Sequence, residues 1–460
     1  MLLAWIVFIL IVLFSLYDTK KAIILWMPVR LLFNAQIALK YSTPAMSLDI
    51  GVMLWLLLLY MVRYYKKENT YHLNKEKGFI APIFLAFLLS FCVSFPFSVN
   101  LQMSVITKTI KFFVMYFGFV FIFQKALNTA KDLRFFLVIT GIVILLIILL
   151  GIYQVITKDN PFLDYVYMNS PHDDTTEGRM YYSPPWVVDE YRLRYGMMRC
   201  CSFFSFHVPF GTACVILLFW VGFLLKNKIL NSSMIYLNVA MILLCIGVVI
   251  SNTKQAYVGL VVLFFCFFKM KDIFNWRILI LLVFLVLIGI YMPEIYNNYI
   301  SLFDEDLAEE GGGSTVAMRK EQYAVAFKMF SMNPIFGNGP FSLGTLKYLN
   351  VDFGNIRGAE SIFLSILPER GLIGVFAYFY MYHVLYTRLK TIMPHHQLIF
   401  FLLTYFVMEV AGGQKDLTLF LGILIACSRI IQMKNLDKFV LSPNKQMSLL
   451  EKVVLTKNKY

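Results

Sequence analysis

Arg134–Ile156 reads RFFLVITGIVILLIILLGIYQVI, and its length settles what kind of chain this is. Its only charge is Arg134, at the first position. A helix rises about 1.5 Å per residue, so about 20 apolar residues cross the roughly 30 Å hydrocarbon layer of a bilayer. Comparable runs lie on both sides of it, near 3–17, 22–39, 47–63, 79–96 and 104–124, then 206–225, 233–251, 255–269, 276–293, 371–388, 397–412 and 416–433. The composition agrees: 59% of the residues are hydrophobic and 15% are charged, against about 25% charged in a typical soluble domain. A membrane β-barrel would show alternating segments of about ten residues, whereas these runs are long and unbroken. The expected fold is therefore an all-α polytopic membrane protein with about twelve or thirteen transmembrane helices. It forms one integral membrane domain over residues 1–460. The first run lacks a basic n-region and a clear cleavage site, so it reads as a retained helix.

The formal net charge is +14. Most of the surplus falls in short connections between apolar runs. Lys66, Lys67, Lys75 and Lys77 share one, and Lys125, Lys131 and Arg134 another; Lys226 with Lys228, Lys269 with Lys271 and Arg277, and Arg388 with Lys390 mark three more. Every second connection is basic, which the positive-inside rule assigns to the cytoplasm together with the tail 434–460. Topology accounts for the charge, and no nucleic-acid motif is present. Two long segments then fall on the outer face: 158–206, rich in Pro, Tyr and acids, and 294–370, with its flexible Glu309-Glu-Gly-Gly-Gly-Ser stretch and short helices. No internal repeat supports an inverted-repeat transporter.

Chemistry in such a chain concentrates in structured loops between spanning helices. Arg319–Gly374 is the most structured of these. Arg319 opens a helical pattern (Tyr323, Phe327, Phe330), a Pro334-Ile-Phe-Gly337-Asn-Gly339-Pro turn follows, and then come Gly358-Ala-Glu360-Ser361 and Glu369-Arg-Gly371-Leu-Ile-Gly374. Further outer-face cations are Arg192, Arg194, Arg199, Lys254, Arg357 and Arg370. Arginine donates in pairs to phosphate and stays charged, so several such cations around one outer cavity suit a lipid diphosphate. The alternative is that each contacts lipid head groups or pairs with Asp189, Glu190 or Glu369. Lys254, in the short outer turn Ser251-Asn-Thr-Lys-Gln, runs against the positive-inside bias and so needs another reason to be there. Glu360 borders an apolar run, where a carboxylate can work as a general base; an ordinary salt bridge to Arg357 is the competing reading. His207 reads as a residue at the start of a helix, followed by Pro209. Lys108 and Lys111 share a helix face and can reach phosphates. No His, Asp, Glu or Cys set has metal-ligand spacing, so neither a metal nor a cofactor is expected, and scattered cysteines argue against a disulfide framework.

These residues, in this order, resemble the O-antigen ligase/polymerase family of bacterial membrane glycosyltransferases. The resemblance rests on Arg199 before His207-Val-Pro-Phe-Gly, on Ser251-Asn-Thr-Lys254 before Gly259, on Arg319, on Pro334-Ile-Phe-Gly-Asn-Gly, and on Glu360-Ser361 before Gly371-Leu-Ile-Gly374. Two positions depart from the family pattern: Lys254 stands where Arg is usual, and Glu360 where the ligases have His. The second departure favours a polymerase over a ligase. The resemblance implies a GT-C-like architecture in the bacterial inner membrane, with the active site on the periplasmic face. It implies inverting, metal-independent transfer of glycan from an undecaprenyl-diphosphate-linked donor to the hydroxyl of an acceptor glycan. Arg199, Lys254, Arg319 and Arg357 would bind the diphosphate and Glu360 would be the base, with Pro334, Gly337, Gly339, Gly371 and Gly374 shaping the turn. Membrane lipids, a chain-length regulator and a flippase are the further partners it implies. A ligase moving finished glycan to lipid A core or another acceptor is the nearest alternative. A flippase for the lipid-linked oligosaccharide is the alternative of another class.

Overall fold

The structure is a computed structural model; it describes residues 2–33, 37–40, 46–64, 78–98, 103–168, 193–194, 197–204, 206–229, 234–267, 297, 300–301, 304, 306–307, 316–343, 361–413 and 416–435. Among them the chain is helical but for two short hairpins, Ala38–Lys40 with Met46–Ser47 and Leu193–Arg194 with Met197–Met198. The helices are α1 (Leu2–Tyr17), α2 (Thr19–Val29), α3 (Leu48–Tyr64), α4 (Ile80–Ser94), α5 (Met103–Phe113), α6 (Phe119–Ala126), α7 (Ala130–Thr157), α8 (Pro161–Met168), α9 (His207–Lys226), α10 (Met234–Ser251), α11 (Lys254–Phe267), α12 (Val316–Met332), α13 (Ile362–Leu389), α14 (His395–Gly412) and α15 (Leu417–Asn435). By length and composition six stretches among the described residues can cross a membrane: Ile80–Phe97, Val105–Ala126, Ala130–Thr157, His207–Lys226, Met234–Ser251 and Ile362–Leu389. Shorter apolar helices fill the runs at 2–17, 254–267 and 417–433. The run at 276–293 lies outside the described residues. The chain is thus an all-α polytopic membrane protein.

The core is built on α9, where every residue from Phe210 to Leu224 is buried. It packs against α10, α11, α14 and α15, and Phe219 stacks on Phe401 of α14 with ring centroids 3.6 Å apart. In contrast, α7 presents Val138, Ile142, Leu145, Leu149 and Ile156 outward. That exposed apolar stripe at helical spacing suits hydrocarbon rather than water. The N-terminus of α7 is closed by a capping box between Thr129 and Asp132, which satisfies backbone donors that would otherwise be orphaned.

Two expectations change, and a third run keeps its span with a local irregularity. The apolar run 22–39 is not one helix: α2 ends at Val29, just after Pro28, and a 3₁₀ turn over Arg30–Leu32 follows. Arg30, just past this end, is 8% exposed and committed to two carboxylates. Its Nη2 lies 3.0 Å from Asp49 and its Nη1 2.7 Å from Asp416, while Trp26 Nε1 donates to Asp49 at 2.9 Å. This network ties the ends of α2, α3 and α15 together. The run at 104–124 carries a π-helical segment, Val114–Gly118, between α5 and α6. The run expected from 371 begins earlier, at Ile362, and Arg370 sits inside that helix rather than in a loop.

α13 is bent at Gly371, whose φ of 58° and ψ of −155° are open to glycine and strained for other residues. The 334–340 turn docks onto this bend through its backbone. Asn338 N donates to Pro368 O at 2.8 Å, Gly339 N to Glu369 O at 3.0 Å, and Leu372 N to Pro334 O at 2.9 Å. The Asn338 amide adds bonds to Met329 O at 2.8 Å and Pro368 O at 3.0 Å, joining α12 to α13. A methyl carbon on Gly371 would stand 2.5 Å from Ile335 O, one on Gly337 would run into the Glu369–Arg370 peptide, and one on Gly339 into Ser98. One on Gly374 would collide with Arg370, which the bend brings close. Phe336 stacks on Phe97 at 4.9 Å, so the turn also holds the end of α4.

Gly371→Ala is expected to lower the thermal midpoint of the detergent-solubilised protein, by the equivalent of about 1–3 kcal/mol from backbone strain alone. Gly141→Ala, where a methyl group meets nothing within 4 Å, is expected to leave the midpoint unchanged or raised. Equal midpoints for the two variants would contradict the docking. For the ionic network, Asp49→Ala is expected to cost about 3–5 kcal/mol, because it strips a buried guanidinium of a partner; a wild-type unfolding curve would contradict it.

Candidate functional site

The turn between α10 and α11 is the centre of the site. It is only Ser251-Asn-Thr long before Lys254 starts α11. Asn252 makes so short a reversal feasible by adopting a left-handed φ of 44°, a conformation Asn tolerates better than most residues. Ser251, Asn252 and Thr253 are all buried. Ser251 Oγ donates to Val248 O at 2.7 Å and lies 3.2 Å from Thr253 Oγ1. Gly211 of α9 fits against this turn: a methyl group there would stand 2.6 Å from both hydroxyl oxygens.

Arg199 is held beside the turn by its neighbours. Cys200 N donates to Ile250 O at 2.9 Å, one residue before Ser251. Gln154 of α7 gathers the rest of the segment, its Oε1 accepting from Cys201 N at 3.0 Å, Ser202 N at 2.9 Å and Asn160 Nδ2 at 3.1 Å. Burial pushes the Cys200 thiol up, so it stays protonated and packs as an apolar group. Arg199 itself is 8% exposed. Its Nη1 lies 2.9 Å from His207 Nε2. Arginine has no acceptor, so His207 Nε2 must accept, which puts the ring proton on Nδ1. His207, expected only to start a helix, therefore orients a cation.

Lys254 is half-buried and its Nζ donates to Ser301 Oγ at 3.3 Å. The next residue, Gln255, lies directly against Gly412, where a methyl group would occupy the space of its side-chain amide. One residue back from Gly412, Ala411 O accepts from Arg319 Nη2 at 3.4 Å. Arg319 thus places a cation at the carbonyl end of α14, where the helix dipole is negative. Through these contacts Arg199, Lys254 and Arg319 share one continuous frame made by the ends of α9, α10, α11 and α14 and the start of α12. Glu360 and Arg357 lie outside the described residues. Ser361, which follows Glu360, is buried at the head of α13.

Two buried charged side chains, Arg370 and Glu409, line one cleft. Arg370, expected among the loop cations, lies over the rings of Phe91 at 4.8 Å and Phe87 at 5.6 Å. Glu409, two residues before Ala411, accepts hydrogen bonds from the hydroxyls of Tyr378 and Tyr382. Tyr378 and Tyr382 stand one turn apart on α13, a spacing that marks a shared face but gives no hint of a carboxylate on another helix. Among the described residues no group of three or more His, Cys, Asp or Glu side chains could hold a metal ion.

No curated protein matches the chain significantly. A family model described as O-Antigen ligase matches residues 239–379. The matched segment contains Lys254, Arg319, the 334–340 turn, Glu360 and the bend at Gly371–Gly374, and it leaves out Arg199 and all that precedes α10. Through this segment the chain is similar to the O-antigen ligase/polymerase family.

Proposed function

We propose that this protein polymerises the lipid-linked repeat units of a surface polysaccharide, acting on the periplasmic face of a bacterial inner membrane. The observation that carries the reading is the shared frame of Arg199, Lys254 and Arg319, three cations seated where helix ends meet. Cations there suit a diphosphate leaving group. The donor in this reading is a glycan on undecaprenyl diphosphate. The acceptor sugar hydroxyl attacks the anomeric carbon, the bond from that carbon to the diphosphate oxygen breaks, and the electron pair leaves with the lipid diphosphate. The three cations, with Arg357, hold that departing charge. Glu360 takes the proton of the hydroxyl. A single displacement of this kind inverts the anomeric centre.

The family description favours one second reading, a ligase that moves finished glycan to lipid A core or another acceptor. It would use the same cations and the same bond changes. A flippase predicts functional charges along a mid-membrane path, whereas Arg199, Lys254 and Arg319 gather at helix ends.

Lys254→Ala and Arg319→Ala are each expected to reduce surface glycan at least about a hundredfold, the scale of losing one donor to a developing charge, while the protein still accumulates in membranes. The check is a gel of surface glycan from a deletion strain carrying each variant; full-length glycan in either would contradict the reading. Loss of the ladder with one repeat unit still attached marks a polymerase. A full ladder retained on the carrier lipid marks a ligase instead.

A further inference from the structure

One buried polar cleft takes no part in the chemistry above. It lies between α4, α13, α14 and the start of α15, and is lined by Arg370, Tyr378 and Glu409 together with Phe87 and Ile362. Arg370 is 7% exposed and Glu409 2%. Among the described residues the Nε and Nη1 atoms of Arg370 are buried and find no hydrogen-bond partner. Buried N–H groups of a guanidinium are costly to leave without acceptors, so such a side chain marks a place where an acceptor arrives. Glu409 lines the same cleft and is fixed by two tyrosine hydroxyls.

The charges of the cleft define what fits. Glu409 opposes an anion such as phosphate, and Arg370 opposes a cation. A neutral group that both accepts and donates satisfies both walls, and a hydroxyl does so. The cleft is narrow, with room for about one water-sized group, so it takes a single hydroxyl rather than a sugar ring. Its position links it to the cation frame. Ile362 follows Ser361 and Glu360, and Glu409 is two residues from Ala411, the carbonyl that receives Arg319.

We propose that the Arg370–Tyr378–Glu409 cleft is a specificity subsite that binds one hydroxyl of a neutral sugar in the glycan substrate. The proposal rests on the transferase reading above. Arg370 donates to the hydroxyl oxygen, and the hydroxyl donates to the Glu409 carboxylate. The bend at Gly371 sets where Arg370 stands, so the docked 334–340 turn fixes the geometry of this subsite as well.

The test uses full-length protein purified in detergent and two probes: the carrier-free repeat-unit oligosaccharide, released from the producing strain by mild acid, and inorganic diphosphate. Binding of each is measured for the wild type, Arg370→Met and Glu409→Gln. The expected result is an oligosaccharide Kd raised about tenfold or more in both variants, the scale of one charged hydrogen bond, with the diphosphate Kd within about twofold of wild type. Unchanged oligosaccharide binding in the variants overturns the proposal, as does a wild type that binds diphosphate but no oligosaccharide. Diphosphate binding lost in Arg370→Met also overturns it, because the cation would then belong to the phosphate site. If Arg370→Met does not fold, Glu409→Gln decides alone. A wild type that binds neither probe overturns the transferase reading together with the subsite.

Discussion

The missing side chains of Gly211 and Gly412 are the constraint on which the candidate site depends. Gly211 admits the hydroxyls of Ser251 and Thr253 against α9, and Gly412 admits Gln255 against α14. With a methyl group at either position the buried turn would be pushed off its helix. Lys254 sits between these two contacts, and Arg199 and Arg319 attach to the same frame through Ile250 and Ala411. Close backbone approach thus does what a metal cluster does elsewhere, fixing charged groups that would otherwise repel one another. It is a membrane-protein solution, since small residues let helices pack tightly where lipid gives no hydrophobic drive for association.

A second junction holds the other half of the matched segment. The 334–340 turn bonds to the bent stretch of α13 through backbone atoms and the Asn338 amide, so its glycines and Asn338 are held to their identities. This junction links α12, which carries Arg319, to α13, which starts just after Glu360. The Arg30–Asp49–Asp416 network braces the start of α15.

Much of the fold is legible in the sequence because one physical rule dominates: a backbone in hydrocarbon must satisfy its own hydrogen bonds. Apolar runs such as 134–156 then become helices with few alternatives. Local exceptions escape that rule. Arg30, at the end of α2, finds Asp416, 386 residues away, and no pattern in the run 22–39 shows that partner. The bend at Gly371 is visible only as a glycine in an apolar context, so the apolar run that starts there leaves Arg370 outside it. In the site, Lys254 is legible through its charge in a short turn, and Arg319 through its place ahead of the Pro-Phe-Gly turn. The pairing of Arg199 with His207 and the placing of Arg370 and Glu409 on one cleft depend on tertiary packing, which carries no local signal.

The central claim is that this cation frame serves glycosyl transfer from a lipid diphosphate. It is tested most directly by incubating the purified full-length protein in detergent, without any ion gradient, with the lipid-linked repeat unit. Elongated glycan appearing together with free undecaprenyl diphosphate is the expected result. Unaltered donor under those conditions, with translocation of the same lipid by the protein in sealed vesicles, would contradict the account and point to a flippase.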